Sequence, residues 1–148
     1  MQPINKMSME FSSQPANVAF ARVAVAAFAS QLDFTLAELD ELKVAVSEAV
    51  ANAIVHGYAG SQLGTVRIET ELYYDRIVVM IEDHGCGIAD IKKALQPAYT
   101  TDPERMGLGF TFMQSFADSL KVNSKPGQGT RIVMSKRLSR AIPAIAGH

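Results

Sequence analysis

The chain has 148 residues, 48% of them apolar, which suits one domain able to bury roughly 70% of its unfolded surface. Its net charge of -1 creates no field to attract nucleic acid or an anionic membrane, so contact with nucleic-acid machinery would have to run through protein. Cys86, the only cysteine, excludes an internal disulfide, no run reaches the ~18 apolar residues of a membrane span, and Met1–Gln2–Pro3 opens no signal pattern, so a soluble cytoplasmic chain is expected.

In chain order, Met7 to Ser12 alternates apolar and polar residues, as a half-buried strand does. Pro15 can open a helix. Phe20, Val23, Ala24, Ala27, Phe28 and Leu32 then recur at three and four, predicting an amphipathic helix that Asp33–Phe34 ends. Thr35 with Glu38 has the form of a capping box. It predicts a long helix with Leu39, Leu42, Val46, Ala49, Val50 and Ala53 on one face, stopped by Gly57 and Gly60. Val66, Ile68, Thr70 and Leu72 alternate with charged residues in a strand over 64–74, and Tyr74–Asp75–Arg76 turns the chain. Ile77 to Ile81 is almost wholly apolar, which predicts a central strand covered on both faces.

Residues 88–106 have weak periodicity and contain Pro97 and Pro103, which predicts a long lid-like loop with one short helix. A short apolar helix follows to about Ala117. Two strands, Leu120–Ser124 and Thr130–Lys136, flank the turn Lys125–Pro126–Gly127–Gln128–Gly129. The last residues, about 139–148, read as a tail. The expected fold is α+β and a single domain over 1–148. It is a two-layer sandwich with helices on one face of a mixed, mostly antiparallel sheet.

Four constellations can carry chemistry. Glu48 and Asn52 lie one turn apart on the long helix. They are either an ordinary polar face, roughly opposite Leu39 and Val46, or a base and a cation ligand. The amide oxygen of Asn52 suits Mg²⁺, which needs few protein oxygens when phosphates and waters complete its shell. Glu48 could then take a hydroxyl proton. Asp83-x-Gly85-x-Gly87 follows a buried strand. Its carboxylate can accept from an exocyclic amine such as that of adenine, and its glycines let backbone approach a flat ring. Cys86 between them has no visible partner and reads as incidental. Gly107-x-Gly109 opens a helix, where free N–H groups and the dipole favour phosphate. Arg105 just before it is either a solvated lid residue or a contact to a terminal phosphate. Gly127-x-Gly129-Thr130 is chiefly hairpin chemistry, with Thr130 offering a hydroxyl to a base pocket. His56 and His84 read as structural or solvated.

Each pattern alone is common, but their order along the chain is specific. In that order they resemble the GHKL superfamily of ATP-binding domains, over about residues 7–138. Val46–Ser47–Glu48–Ala49–Val50–Ala51–Asn52–Ala53–Ile54–Val55–His56–Gly57–Tyr58 resembles its branch of small anti-sigma serine kinases. The stretches 20–28 and 31–33 resemble the sporulation, anti-sigma-F, members of that branch. The resemblance implies ATP and ADP binding with Mg²⁺, a homodimer, sequestration of a sigma-F-like sigma factor, and phosphorylation of an anti-anti-sigma factor on serine. It implies Glu48 as the base and Asn52 as the metal ligand. Asp83, Gly85, Gly87 and Thr130 would form the base pocket, and Gly107, Leu108 and Gly109 the phosphate cradle. Arg105 would be a lid arginine at the transferring phosphoryl group, and Arg22 a partner contact. It implies no direct contact with nucleic acid or membrane. Three other readings compete: a sister stress-response kinase, a binding module that uses ATP only to set its shape, and the catalytic domain of a histidine kinase. The last expects a helical segment with a phosphoacceptor histidine before residue 15, whereas the histidines are His56, His84 and His148.

Overall fold

The computed structural model describes residues 2–88 and 110–139. The expected lid, Arg105, Gly107, Leu108, Gly109 and the tail beyond residue 139 lie outside the described residues. Strand β1 is Asn5–Ser12, helix α1 Asn17–Ala29 and helix α2 Leu36–Asn52, which runs into a single π-helical turn over Ala53–Gly57. Strands β2, Thr65–Leu72, and β3, Arg76–Asp83, follow. Beyond residue 109 come helix α3, Thr111–Phe116, and strands β4, Ser119–Lys125, and β5, Gly129–Arg137.

The strands form one sheet in the order β1-β2-β3-β5-β4, and each of these pairings is antiparallel. Alternation decides which face is buried. Val66, Ile68 and Leu72 of β2, Ile77, Val79 and Ile81 of β3, and Ile132 and Met134 of β5 point at the helices and are buried. Met7, Met9 and Phe11 of β1 and Leu120 and Val122 of β4 extend the same face at its edges. The opposite face carries Arg67, Glu69 and Glu82, with Arg67 ion-paired to both carboxylates. Val78 there is half-buried, so β3 is less completely covered than its apolar run predicts; only Met80 on that face is buried.

Helix α2 is the central strut. Thr35 Oγ1 accepts the Glu38 N–H at 3.0 Å and Glu38 Oε1 accepts the Thr35 N–H at 2.8 Å, so the expected capping box forms. From that start Leu42, Ala45, Val46, Ala49 and Val50 pack into the core. Each large aliphatic side chain so buried contributes about 1.5–3 kcal/mol.

Helix α1 turns differently from its expected stripe. Ala21, Val25, Ala26 and Ala29 are buried, while Phe20 and Val23 are 57% and 58% exposed. The physical reason is that α1 is apolar nearly all round, with Arg22 its one charge, so periodicity cannot choose a face. Phe20 instead meets Phe11 edge-on, with ring centroids 6.5 Å apart. No helix among the described residues is long and apolar enough to cross a membrane.

Thr70 sits on the core face of β2, fully buried, and its hydroxyl has no partner among the described residues. An unmatched buried hydroxyl costs about 1–3 kcal/mol. Thr70→Val keeps the shape and removes that cost. The variant is expected to be more stable by roughly 1 kcal/mol in urea unfolding at unchanged m-value. A variant no more stable than the parent would show that the hydroxyl is satisfied.

Candidate functional site

The site forms where α2 ends over the C-terminal end of β3. The α-helical pattern stops at Asn52 and one π turn follows, with the Tyr58 N–H reaching the Ala53 carbonyl at 2.9 Å. Such turns widen a helix and recur at functional sites. Here the widened turn lays the backbone of Gly57 against β3. A Cβ on Gly57 would sit 2.8 Å from Asp83 Oδ1, and one on Gly85 would sit 1.9 Å from the Gly57 carbonyl oxygen. Neither position admits a side chain. The Gly57 carbonyl accepts the Cys86 N–H at 2.7 Å. The loop after Asp83 is therefore seated directly on the helix end.

Two further supports hold that loop. The Tyr58 hydroxyl accepts the His84 N–H at 2.8 Å and donates to the Thr65 carbonyl at 2.6 Å. On the other flank Ser124 Oγ accepts the Ile88 N–H at 2.7 Å, and the Cys86 carbonyl accepts the Gly127 N–H at 2.7 Å. The β4–β5 hairpin and the end of α2 thus grip residues 84–88 from both sides.

Asp83 is buried at 6% exposure, and its Oδ1 accepts the Gly85 N–H at 2.8 Å. Burial pushes its carboxyl above the ordinary range; the Gly85 N–H and nearby backbone pull the other way without cancelling the effect. Asn52 is equally buried, and neither its amide oxygen nor its amide nitrogen has a partner among the described residues. Of the two readings of the Glu48–Asn52 face, the ordinary solvated one does not hold at Asn52, which falls in line with Ala45 and Ala49 on α2 and lines a cavity walled by Ile81, Asp83, Thr130 and Ile132 of the sheet. A buried amide with both ends unsatisfied is costly unless something binds there. An amide oxygen suits a hydrated Mg²⁺, and a backbone-lined cradle beside a buried carboxylate suits a flat amino-substituted base. Among the described residues no group of three or more His, Cys, Asp or Glu side chains could hold a metal by itself.

Asn52, Asp83, Gly87 and Thr130 line one cavity together with Gly57 and Phe110. Glu48 does not line it. It faces a neighbouring groove between α1 and α2, shared with Arg22, Lys43, Val44 and Phe112. Glu48 is half-buried, and burial raises its carboxyl above the ordinary range. Arg22 and Glu48, two of the residues singled out from sequence, thus meet in one groove, one helical turn from the cavity that holds the others. Cys86 is exposed, and its Sγ reaches the His56 carbonyl at 3.0 Å. Gly57, Tyr58 and Ser124 belong to the site although sequence reasoning gave them no role in it. Gly57 reads as a helix stop, and nothing local to Tyr58 or Ser124 shows that they meet a loop after β3.

A family model for the histidine kinase-like ATPase domain matches residues 11–136. The anti-sigma F factor of Clostridium novyi (strain NT) is 52% identical over 136 residues, 90% of this chain and 95% of that one. The anti-sigma F factor of Clostridium beijerinckii is 51% identical over 137 residues, 91% of this chain and 96% of that one. Among solved structures, the histidine kinase domain of the Erythrobacter litoralis EL346 blue-light activated histidine kinase aligns with TM-score 0.59 at 18% identity, covering 92% of this chain and 65% of that one. That likeness concerns the fold.

The raised carboxyl of Asp83 has a consequence for stability. Its folded value lies above its unfolded one, so the folded state holds the proton more tightly. Stability is therefore lost as pH rises between the two values, and the cost is complete above both. Asp83→Asn removes it. The variant without nucleotide is expected to melt above the parent at pH 7, with the gap closing as pH falls below the ordinary carboxyl range. The same variant is expected to bind ATP roughly tenfold or more weakly, as for loss of a hydrogen bond to a charged acceptor. Equal melting at pH 7 together with equal affinity would remove Asp83 from the site.

Proposed function

The chain belongs to the histidine kinase-like ATPase family, among the anti-sigma F factors, and from that premise we propose that it is an ATP-dependent protein serine kinase that also sequesters a sigma factor. The sigma factor is of the sigma-F type and is kept from RNA polymerase core. The phosphorylation substrate is an anti-anti-sigma factor. ATP lies over the cavity of Asn52, Asp83 and Thr130, with its base toward Asp83. Gly107, Leu108 and Gly109 supply backbone N–H groups to the phosphates. The Asn52 amide oxygen would hold Mg²⁺ together with phosphate, and the ion would supply charge neutralisation.

Glu48 takes the proton of the substrate serine hydroxyl as that oxygen bonds to the γ-phosphorus. The bond from phosphorus to the β,γ-bridging oxygen breaks, and ADP leaves with the electron pair. Arg105 balances charge on the transferring group. A carboxyl with a raised pKa is a better base than an exposed one, because its proton affinity lies nearer the working pH. The observation that carries this reading is the place of Glu48. It sits half-buried in a groove that opens to solvent beside Arg22, one turn from the unsatisfied amide of Asn52. An approach open to solvent admits a side chain presented by another protein.

Arg22, in the same groove, contacts the protein partners. The chain pairs as a homodimer, for which the exposed Phe20 and Val23 of α1 and the adjoining edge strand β1 offer a surface. The working compartment is the cytoplasm.

Glu48→Gln tests the base. With γ-labelled ATP and an anti-anti-sigma protein, phosphotransfer is expected to fall by about 10²–10⁴-fold while ATP affinity stays within twofold of the parent. Unimpaired phosphotransfer by the variant would refute the assignment. A parent protein that binds ATP and the sigma factor yet labels no partner would instead identify a binding module.

A further inference from the structure

The row of side chains at the end of the sheet runs Ser124, Thr130, Asp83. Thr130 is the register partner of both Ser124 on β4 and Asp83 on β3. Thr130 is buried and lines the cavity with Asp83 and Asn52. The hydroxyl of Ser124 makes three contacts. The Ile88 N–H lies at 2.7 Å, the Gly129 carbonyl at 2.9 Å and Thr130 Oγ1 at 2.9 Å.

Counting protons orders these contacts. The Ile88 N–H can only donate, so Ser124 Oγ accepts from it. The Gly129 carbonyl can only accept, so it takes the one proton of Ser124. The third bond must then be donated by Thr130. Its proton is spent on Ser124, and Thr130 Oγ1 can offer the cavity only a lone pair. Asp83, once ionised, is acceptor-only as well. At this end of the sheet the cavity therefore presents two acceptors side by side, Asp83 and Thr130, with the Asn52 amide on the helix side.

We propose that Ser124 is a positioning residue that fixes the Thr130 hydroxyl as an acceptor and so makes this site select a 6-amino purine over a 6-oxo purine. The proposal rests on the reading of this cavity as the base pocket. A 6-amino group brings two protons to two acceptors. A 6-oxo purine puts an acceptor in place of that amino group and carries its one neighbouring proton on N1, so it can match one of the two acceptors while its oxygen stands against the other, and a buried polar group left unmatched is rejected more strongly than a matched one is favoured. In the absence of Ser124 the Thr130 hydroxyl can rotate and donate, and the wall accommodates either base. Ser124 thus governs discrimination without touching the nucleotide.

The test is the affinity of the intact protein for ATP and for ITP, which differ at the 6-position and in the proton that the 6-oxo form carries on N1, measured by calorimetry for the parent, Ser124→Ala and Ser124→Thr. The parent is expected to prefer ATP. Ser124→Ala is expected to lower the ATP-to-ITP affinity ratio by about fivefold, the worth of one ordinary hydrogen bond, and Ser124→Thr to restore it. A purely structural role would weaken both nucleotides together and leave the ratio unchanged, and that result overturns the proposal. A parent that binds neither nucleotide overturns the base-pocket reading and this proposal with it. A parent that binds ATP, with an unchanged ratio in Ser124→Ala, overturns the role of Ser124 alone. Should Ser124→Ala fail to fold, Ser124→Cys, a weak acceptor of nearly the same size, carries the same comparison.

Discussion

The contact between the carbonyl of Gly57 and the N–H of Cys86 organises this molecule. It joins the end of α2 to the loop after β3, and through them the helical layer to the sheet. Its length, 2.7 Å, is possible only because residues 57 and 85 both lack side chains. The consequence is chemical as well as architectural. The same approach brings the buried Asn52 amide and the Asp83 carboxylate to one cavity, though they lie on different layers and 31 positions apart in the chain (83 − 52).

That arrangement works against stability. A carboxylate removed from water and an amide with neither end matched are both unfavourable in the empty fold. The surrounding structure offsets them with a continuous apolar layer from β2, β3 and β5 packed on α2. Groups retained at such cost are characteristic of ligand sites, where binding supplies the missing partners. The neighbouring groove shows the same logic at the surface. Glu48 is half-buried next to Val44 and Phe112, which stay 44% and 55% exposed. Apolar side chains beside a poised carboxyl suit a site that closes only when another protein covers it.

Much of this was legible in the amino-acid sequence, for identifiable reasons. Strands β2 and β5 alternate cleanly because one face meets helices and the other meets water, and α2 announces its start through Thr35 and Glu38. Asp83 and Asn52 stand out by residue type and order, and the structure brings them to one cavity. The buried face of helix α1 was not legible, because a helix made almost wholly of alanine, valine and phenylalanine has no polar face to mark its outside. Nor was the burial of Asn52, since the sheet that covers it comes later in the chain. Gly57, Tyr58 and Ser124 were missed for one shared reason. Each acts on a segment at least 26 residues away, and no local pattern records such a meeting. The roles given to Arg105, Gly107, Leu108 and Gly109 rest on sequence pattern and resemblance, since these residues lie outside the described ones.

The cavity under Gly57 is proposed to take a nucleotide, with Asn52 drawing a divalent cation to it. Thermal unfolding of the intact protein in increasing ATP, with and without Mg²⁺, tests this most directly. The account predicts a midpoint that rises with ATP, by a free energy near 2.7 kcal/mol at a hundredfold excess over Kd, and that rises at lower ATP when Mg²⁺ is present. It also predicts that Asn52→Leu, which replaces the unsatisfied amide by an apolar group, abolishes the Mg²⁺ enhancement. A midpoint indifferent to ATP, or an Mg²⁺ enhancement retained in Asn52→Leu, would contradict it.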